Sequence, residues 1–323
     1  MNQQPNDKQT ICIVIPCYNE EEVLPWAMGK LQTMIGKMKA ETGIEGRLLL
    51  VDDGSRDRTW ELIEGFAAEH SNVAGVKLSH NEGHQNALWA GMQESLGMCD
   101  AIVSIDADLQ DDEMAIIDMA SQFAKGKDIV YGVRKQRKTD TWFKRFTAQA
   151  FYRLMQTADK EIIYNHADFR LMSERAVRAL MEYPERNMFL RGMVRQLGFS
   201  EGYVYYDRTA RTAGESKYPL SKMLAFSIDG ITSFSTVPLK FITFAGLTMT
   251  LISMLIIIYG LYEHFIGKTI EGWTSLMVSM WFIGGVITTG VGITGTYIGK
   301  IYNEVKRRPR YFVDKKVGIK GEN

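Results

Sequence analysis

The sequence predicts an α/β protein built on a doubly wound, mainly parallel sheet and followed by a membrane-associated C-terminal part. Three observations carry this. Short β-branched apolar runs alternate with helical patterns over the first 135 residues. Polar, turn-forming residues follow four of the strands, where doubly wound sheets place their ligands. Two long uncharged stretches lie near the C-terminal end.

Taken in order, strands are expected at Ile11 to Pro16, Arg47 to Val51, Val73 to Leu78, Ala101 to Ile105 and Asp128 to Val133. Helices are expected near Glu20 to Lys39, Thr59 to Ala68, Gly83 to Ser95 and Asp112 to Ala124, the last begun by Asp111 or Asp112 as a cap. The four loops beyond the strands are Pro16-Cys17-Tyr18-Asn19-Glu20, Asp52-Asp53-Gly54-Ser55, His80-Asn81-Glu82-Gly83 and Asp106-Ala107-Asp108. In the last of these, strand alternation would put Asp106 and Asp108 on one face, able to converge on a hard cation. Mg²⁺ or Mn²⁺ suits such oxygen ligands and leaves coordination sites for phosphate oxygens and water.

Composition excludes several classes. The 38 basic residues balance 38 acidic ones, so no global field favours nucleic acid, and no nucleic-acid partner is expected. The three cysteines, Cys12, Cys17 and Cys99, lack metal-ligand spacing and read as small buried residues of a reduced compartment. Pro16 to Glu22 holds no glycine and three successive acids, which disfavours a dinucleotide-binding turn; the N-terminal domain also lacks a Gly-x-x-x-x-Gly-Lys loop. Met1 to Gln9 is polar and lacks the basic-then-apolar pattern of a secretory signal.

Phe241 to Tyr262 and Trp273 to Gly299 are roughly 22 and 27 residues without charge, each long enough for a hydrocarbon core of about 30 Å. Two transmembrane helices are expected. Lys300, Lys306, Arg307, Arg308 and Arg310 follow the second, so the positive-inside rule places both chain ends in the cytoplasm. The expected division is therefore a cytoplasmic domain over 1–217, a juxtamembrane amphipathic segment over 218–235, two spans with a short extracytoplasmic loop over 236–300 and a basic cytoplasmic tail over 301–323. Two apolar stripes, Trp142 to Met155 and Leu220 to Phe234, have the spacing of interfacial helices. Gly284, Gly285, Gly290, Gly292, Gly295 and Gly299 would let helices approach closely, and a homo-oligomer is expected.

The ordered motifs Ile13 to Glu20, Val51-Asp52-Asp53-Gly54-Ser55 with Asp57 and Thr59, Asn81-Glu82-Gly83-His84-Gln85 and Asp106 to Asp111 resemble those of inverting family 2 glycosyltransferases. His166 to Met172, Phe189-Leu190-Arg191-Gly192 and Ala213 to Leu220, followed by two apolar stretches, are similar to bacterial polyprenyl-phosphate (undecaprenyl-phosphate) glycosyltransferases, relatives of dolichyl-phosphate mannose synthase. The resemblance covers about residues 10 to 305.

It implies a glycosyltransferase A type sheet that binds a nucleotide-sugar donor. Pro16, Tyr18 and Glu20 would surround base and ribose, Asp52 or Asp53 would accept a hydrogen bond from the base, and Asn81, Gly83 and Gln85 would lie along nucleoside or sugar. Asp106 and Asp108 would hold the metal, with Asp108 the stronger ligand and, with Asp168, the catalytic acids. The implied acceptor is a polyprenyl phosphate whose second ionisation lies at about 6, so it needs little help from a base; Asp168 either abstracts a proton or orients the phosphate, sugar hydroxyls or a basic neighbour. Arg170, Arg191, Arg195, Arg208, Arg211 and Lys217 are the cation supply, with Arg170, Arg208, Arg211 and Lys217 assigned to phosphate. The implied activity is transfer of one hexose, glucose before N-acetylglucosamine and then mannose, at the cytoplasmic face of the plasma membrane by a multi-pass enzyme. The rivals are a processive polysaccharide synthase, whose Gln-x-x-Arg-Trp motif is missing, and a non-catalytic nucleotide-sugar-binding adaptor.

Overall fold

The computed structural model describes residues 9–135, 166–185, 190–207 and 272–319, with scattered positions between 239 and 266. The interfacial stripes, Arg208, Arg211, Lys217 and most of the first expected span lie outside the described residues.

Chain contacts divide the protein into two units, one comprising 1–147, 163–217 and 308–323, the other 148–162 and 218–307. The first unit is an eight-stranded sheet in the order β7-β5-β6-β4-β1-β2-β3-β8. Its strands are β1 (Thr10–Cys17), β2 (Glu45–Asp52), β3 (Val73–Leu78), β4 (Ala101–Ser104), β5 (Ile129–Arg134), β6 (His166–Ser173), β7 (Glu201–Tyr206) and β8 (Val313–Val317). The neighbours β4-β1-β2-β3 and the pair β5-β7 are parallel. β6 runs antiparallel between β4 and β5, and β8 antiparallel along β3.

The parallel half forms because its strands are apolar without alternation, as strands buried on both faces must be. Ile11, Ile13, Ile15, Leu48 and Leu50 pack in one core with α1 (Leu24–Thr42), α2 (Thr59–Glu69) and α4 (Ala115–Ala124). On the opposite face lies α3 (His84–Glu94), where a Cβ on Gly91 would stand 2.3 Å from Val14 Cγ1 and 2.8 Å from Val51 Cγ2. Only glycine lets that helix approach so closely. Each fully buried Ile or Leu in these layers contributes about 2 kcal/mol of transfer free energy.

Helix α1 begins at Leu24 rather than Glu20 because Pro25, lacking an N–H, is tolerated only in a first turn. Gly43, at φ 74°, closes it in the left-handed C-cap conformation. Asp112 is the acid that starts the next helix, its Oδ1 accepting from Met114 N at 3.0 Å, whereas Asp111 faces Arg134.

The expected fifth strand is present, but β6 and β7 were not legible as strands, and β6 makes the sheet mixed. The short helices α5 (Glu174–Met181) and α6 (Leu190–Gln196) follow it. The C-terminal residues, expected only as a basic tail, supply β8. Arg310 stacks on Trp89 at 3.7 Å and donates to the carbonyls of Tyr183 and Glu185 at 2.9 and 2.5 Å, while Lys316 pairs with Glu94 at 2.8 Å. β8 therefore covers the open edge of β3, which a basic composition alone does not announce.

In the second unit, α7 (Trp273–Lys306) contains Phe282–Lys306, among the described residues the one helix long and apolar enough, by length and composition, to cross a membrane. One of the two expected spans thus has a helix of suitable length and composition, and most of the other, 241–262, lies outside the described residues.

Candidate active site

The loops at the carboxyl ends of β1, β2 and β3 are stitched to one another. Asn19, held at φ 54°, donates its N–H to Ser55 Oγ at 2.9 Å and accepts at Oδ1 from Arg56 N at 2.9 Å; Glu20 N donates to Thr59 Oγ1 at 2.9 Å. Asp53 N–H donates to the Cys17 carbonyl at 2.9 Å. Gly54 sits at φ 65° with a hypothetical Cβ only 2.5 Å from the His80 backbone, so the second loop can lie against the third only with glycine there.

The two neighbouring aspartates have different duties. Asp53 accepts from Glu82 N and Gly83 N at 2.8 and 3.0 Å, so both its oxygens are committed to holding the third loop. Asp52, fully buried, accepts from Ser55 N through Oδ1 at 3.0 Å, and among the described residues its Oδ2 has no hydrogen-bond partner. Gln85 Oε1 is a second buried acceptor without one. A buried acceptor left open in an otherwise satisfied loop is suited to a ligand's N–H or O–H. Tyr18 is exposed beside Pro16, which is buried, and Glu20 is half-buried; Asn81 is exposed, Gly83 half-buried.

The next acids do not sit as strand alternation suggests. β4 ends at Ser104, and Asp106 to Asp108 form a turn closed by Leu109 N–H to the Asp106 carbonyl at 3.2 Å, with Leu109 at φ 43°. Asp106 and Asp108 are brought together by that turn, because the strand stops before reaching them. Asp108 accepts from Gln110 Nε2 at 2.8 Å. Asp106 lies in a recess: its side chain is 52% exposed, yet the surrounding protein raises its pKa. Burial is the main cause; His84, 3.5 Å away at Nε2, opposes it, and the carboxylates of Asp168, Asp111 and Asp108 reinforce it.

Among the described residues no group of three His, Cys, Asp or Glu side chains is arranged to hold a metal. Two crowded carboxylates nevertheless fit a cation whose remaining ligands come from substrate phosphates and water, the usual manner of binding Mg²⁺. Asp106 and Asp108 are the residues that would hold it.

Across the recess, β6 brings up Asp168. The Ser104 hydroxyl donates to the Asp168 carbonyl, fixing β6 to the end of β4. Arg191 donates from Nε and Nη2 to the two Asp168 oxygens at 3.1 and 3.0 Å, and Arg170 Nη2 lies 3.5 Å from Oδ1. Burial opposes ionisation of Asp168, but the Arg191 and Arg170 guanidiniums outweigh it and hold the pKa well below the usual carboxylate range. Arg170, expected to bind phosphate, is instead enclosed: its side chain is 1% exposed and its charge faces Asp168. It lies on β6, paired with Ser104 of β4 and Tyr131 of β5.

In the sequence His84 stands out only as part of a motif, and Arg191 only as part of the Phe189 to Gly192 motif and of the cation supply. Structure gives both a position at the recess; an arginine in the same motif set as an unpaired acid was the one available signal. Arg134, paired with Asp111 at 2.8 Å, carried no sequence assignment at all.

A mainly parallel sheet whose carboxyl edge gathers stitched polar loops, an Asp-x-Asp turn and a counter-charged acid defines a transferase of the glycosyltransferase A type. Residues 12–181 match the family model described as glycosyl transferase family 2, and the chain belongs to that family. It is 48% identical to the uncharacterized glycosyltransferase YkoT of Bacillus subtilis, covering 94% of this chain and 91% of the relative. It is 41% identical to the uncharacterized glycosyltransferase YkcC of the same organism, covering 96% and 95%. It is 36% identical to the SfII prophage-derived bactoprenol glucosyl transferase of Shigella flexneri, covering 94% and 97%.

Proposed function

We propose that this enzyme moves a single hexose, with inversion, from a nucleotide sugar to a polyprenyl phosphate such as undecaprenyl (bactoprenyl) phosphate. Glucose is the favoured sugar, supported by similarity to the bactoprenol glucosyl transferase of Shigella flexneri over nearly its whole length; N-acetylglucosamine follows. The observation that carries the reading is the recess itself, acidic at Asp106 and Asp108 and bounded by Asp168 with its two arginines.

In this reading Pro16, Tyr18 and Glu20 surround base and ribose. Asp52 offers its open Oδ2 to the base, while Asp53 acts through the loop it holds. Asn81, Gly83 and Gln85 lie along the nucleoside or sugar. Mg²⁺ or Mn²⁺ at Asp106 and Asp108 would, when bound, neutralise charge on the departing diphosphate. Arg208, Arg211 and Lys217 bind phosphate near the glycine-containing segment 213–216. The enzyme works at the cytoplasmic face of the plasma membrane, anchored by two spans of which α7 is one, and assembles as a homo-oligomer through glycine-lined helices.

Purified full-length protein incubated with Mn²⁺, radiolabelled nucleotide sugars and undecaprenyl phosphate tests this. Lipid-extractable label from UDP-glucose exceeding that from other donors is the expected result. A long water-soluble polymer would make the enzyme a synthase, and no transfer from any donor would make the chain a binding adaptor.

A further inference from the structure

The recess is electrically divided. On the β4 side stand the carboxylates of Asp106 and Asp108, and on the β6 side two guanidiniums share one carboxylate. Arg170 is 1% exposed at the side chain, and among the described residues none of its Nε, Nη1 and Nη2 atoms has a hydrogen-bond partner. Among the described residues its close ionic neighbour is Asp168, with Tyr131 and Arg191 in electrostatic range. A guanidinium so enclosed cannot leave, and removing its counter-ion would strand a buried charge.

Asp168 is therefore gripped from below by Arg170 and from the open side by Arg191, whose side chain is 33% exposed against 15% for Asp168. The bidentate pair fixes the plane of the Arg191 guanidinium in the first turn of the short helix α6. Of the three residues, the one most open to an arriving group is the cation, and planar guanidinium is the side chain best matched to phosphoryl oxygens.

We propose that Arg191 grips the phosphoryl group of the lipid acceptor and that Asp168 is its positioning residue, held in place by Arg170, rather than a base. The inference rests on the polyprenyl-phosphate reading above. The chemistry balances without a base: an ionised phosphate oxygen forms the new bond to the anomeric carbon, and the bond from that carbon to the diphosphate breaks, its electron pair leaving with the nucleoside diphosphate. No proton has to be removed. A carboxylate clamped by two guanidiniums would be a poor acceptor for one in any case.

Steady-state kinetics on the full-length protein, with polyprenyl phosphate and nucleotide sugar varied separately, test the assignment. Arg191→Ala is expected to raise KM for the lipid phosphate about tenfold to a hundredfold, the loss of a charge-assisted hydrogen bond, while donor KM stays within about twofold. Arg191→Lys, which keeps charge and loses the fork, is expected to fall between them, and it stands in should the alanine variant fail to fold. Asp168→Asn is expected to reproduce the acceptor-KM defect, with Asp168→Glu recovering part of it. A fall in kcat in Asp168→Asn with acceptor KM unchanged would restore the base and overturn the proposal. A rise in donor KM alone on changing Arg191 would assign that residue to the donor's diphosphate and also overturn it. Wild-type protein that makes no lipid-linked sugar would instead sink the underlying reading, a result distinct from either.

Discussion

The aspartates of the parallel half and those of the β5–β7 half are satisfied by different partners, and the difference divides the labour of the site. In the parallel half Asp52, Asp53, Asp57 and Asp112 accept backbone N–H groups at 2.8–3.2 Å and organise loops. On the β5–β7 side the partners are guanidiniums: Asp111, reaching over from the loop after β4, has Arg134 of β5, Asp128 has Arg175, and Asp168 has Arg191 and Arg170. Backbone-bonded acids shape the chain a few residues away and link adjacent loops. Guanidinium-bonded acids tie together strands distant in sequence and fix where charge resides. Asp106 and Asp108 lie where the two halves meet, which is why the recess is acidic on one side and basic on the other.

The largest expected effect breaks that boundary. Asp108→Asn keeps an oxygen that can accept from Gln110 Nε2, so the protein should fold, while transfer should fall about a thousandfold with loss of electrostatic stabilisation of the leaving diphosphate. Counting lipid-extractable label beside a thermal melt checks both halves of the statement; wild-type turnover would remove Asp108 from the metal role. Removing Mn²⁺ with a chelator should mimic the loss in the wild type.

A smaller effect is expected within the backbone-bonded set. Asp53→Ala releases the Glu82 and Gly83 N–H groups together, which should cost about 2–4 kcal/mol of stability by the usual worth of hydrogen bonds to a charged acceptor. Donor KM should rise while acceptor KM does not, because the proposed function places the third loop on the nucleotide side. Equal movement of both constants would show that the loops are not separate from the acceptor side.

The smallest effect distinguishes the guanidinium set by pH. Bonds from Arg175, opposed by burial and helped by Ser200 and Ser173, hold the Asp128 pKa at about 2. A depressed folded-state value means the stabilisation is fully present above the unfolded value of about 3.9 and is lost as pH falls through the interval down to about 2. Apparent melting temperature should thus drop over that interval, and Asp128→Asn should remove this component of the drop while lowering the plateau near neutrality. An unchanged acid limb in the variant would assign the acid sensitivity to other carboxylates.

How much of this was legible follows from the same division. The strands β1 to β5 and the first four helices could be read because burial on both faces writes continuous apolar runs, and the loops after them because Gly54, Asn19 and the aspartates announce turns locally. Strand β6 could not be read as one: His166 to Ser173 mixes charge and apolar residues, and its partners β4 and β5 are separated from it by long stretches of chain. For the same reason Arg170 passed for a phosphate ligand. Nothing in Phe169-Arg170-Leu171 says that this arginine will be enclosed between two strands, and nothing in Asp52-Asp53 says which oxygen will be left without a partner.

The sequence by itself determined the alternation of strand and helix, the positions of the loops, the Asp106/Asp108 pair and the apolar helix, all written in side chains within a few residues of where they act. Tertiary structure alone decided that β6 enters antiparallel beside β4, that β8 returns to cover β3, and that Asp168 stands between two guanidiniums. Those outcomes depend on which distant backbones pair and which charges become buried together, and burial and Coulomb energies are properties of the assembled neighbourhood rather than of any segment.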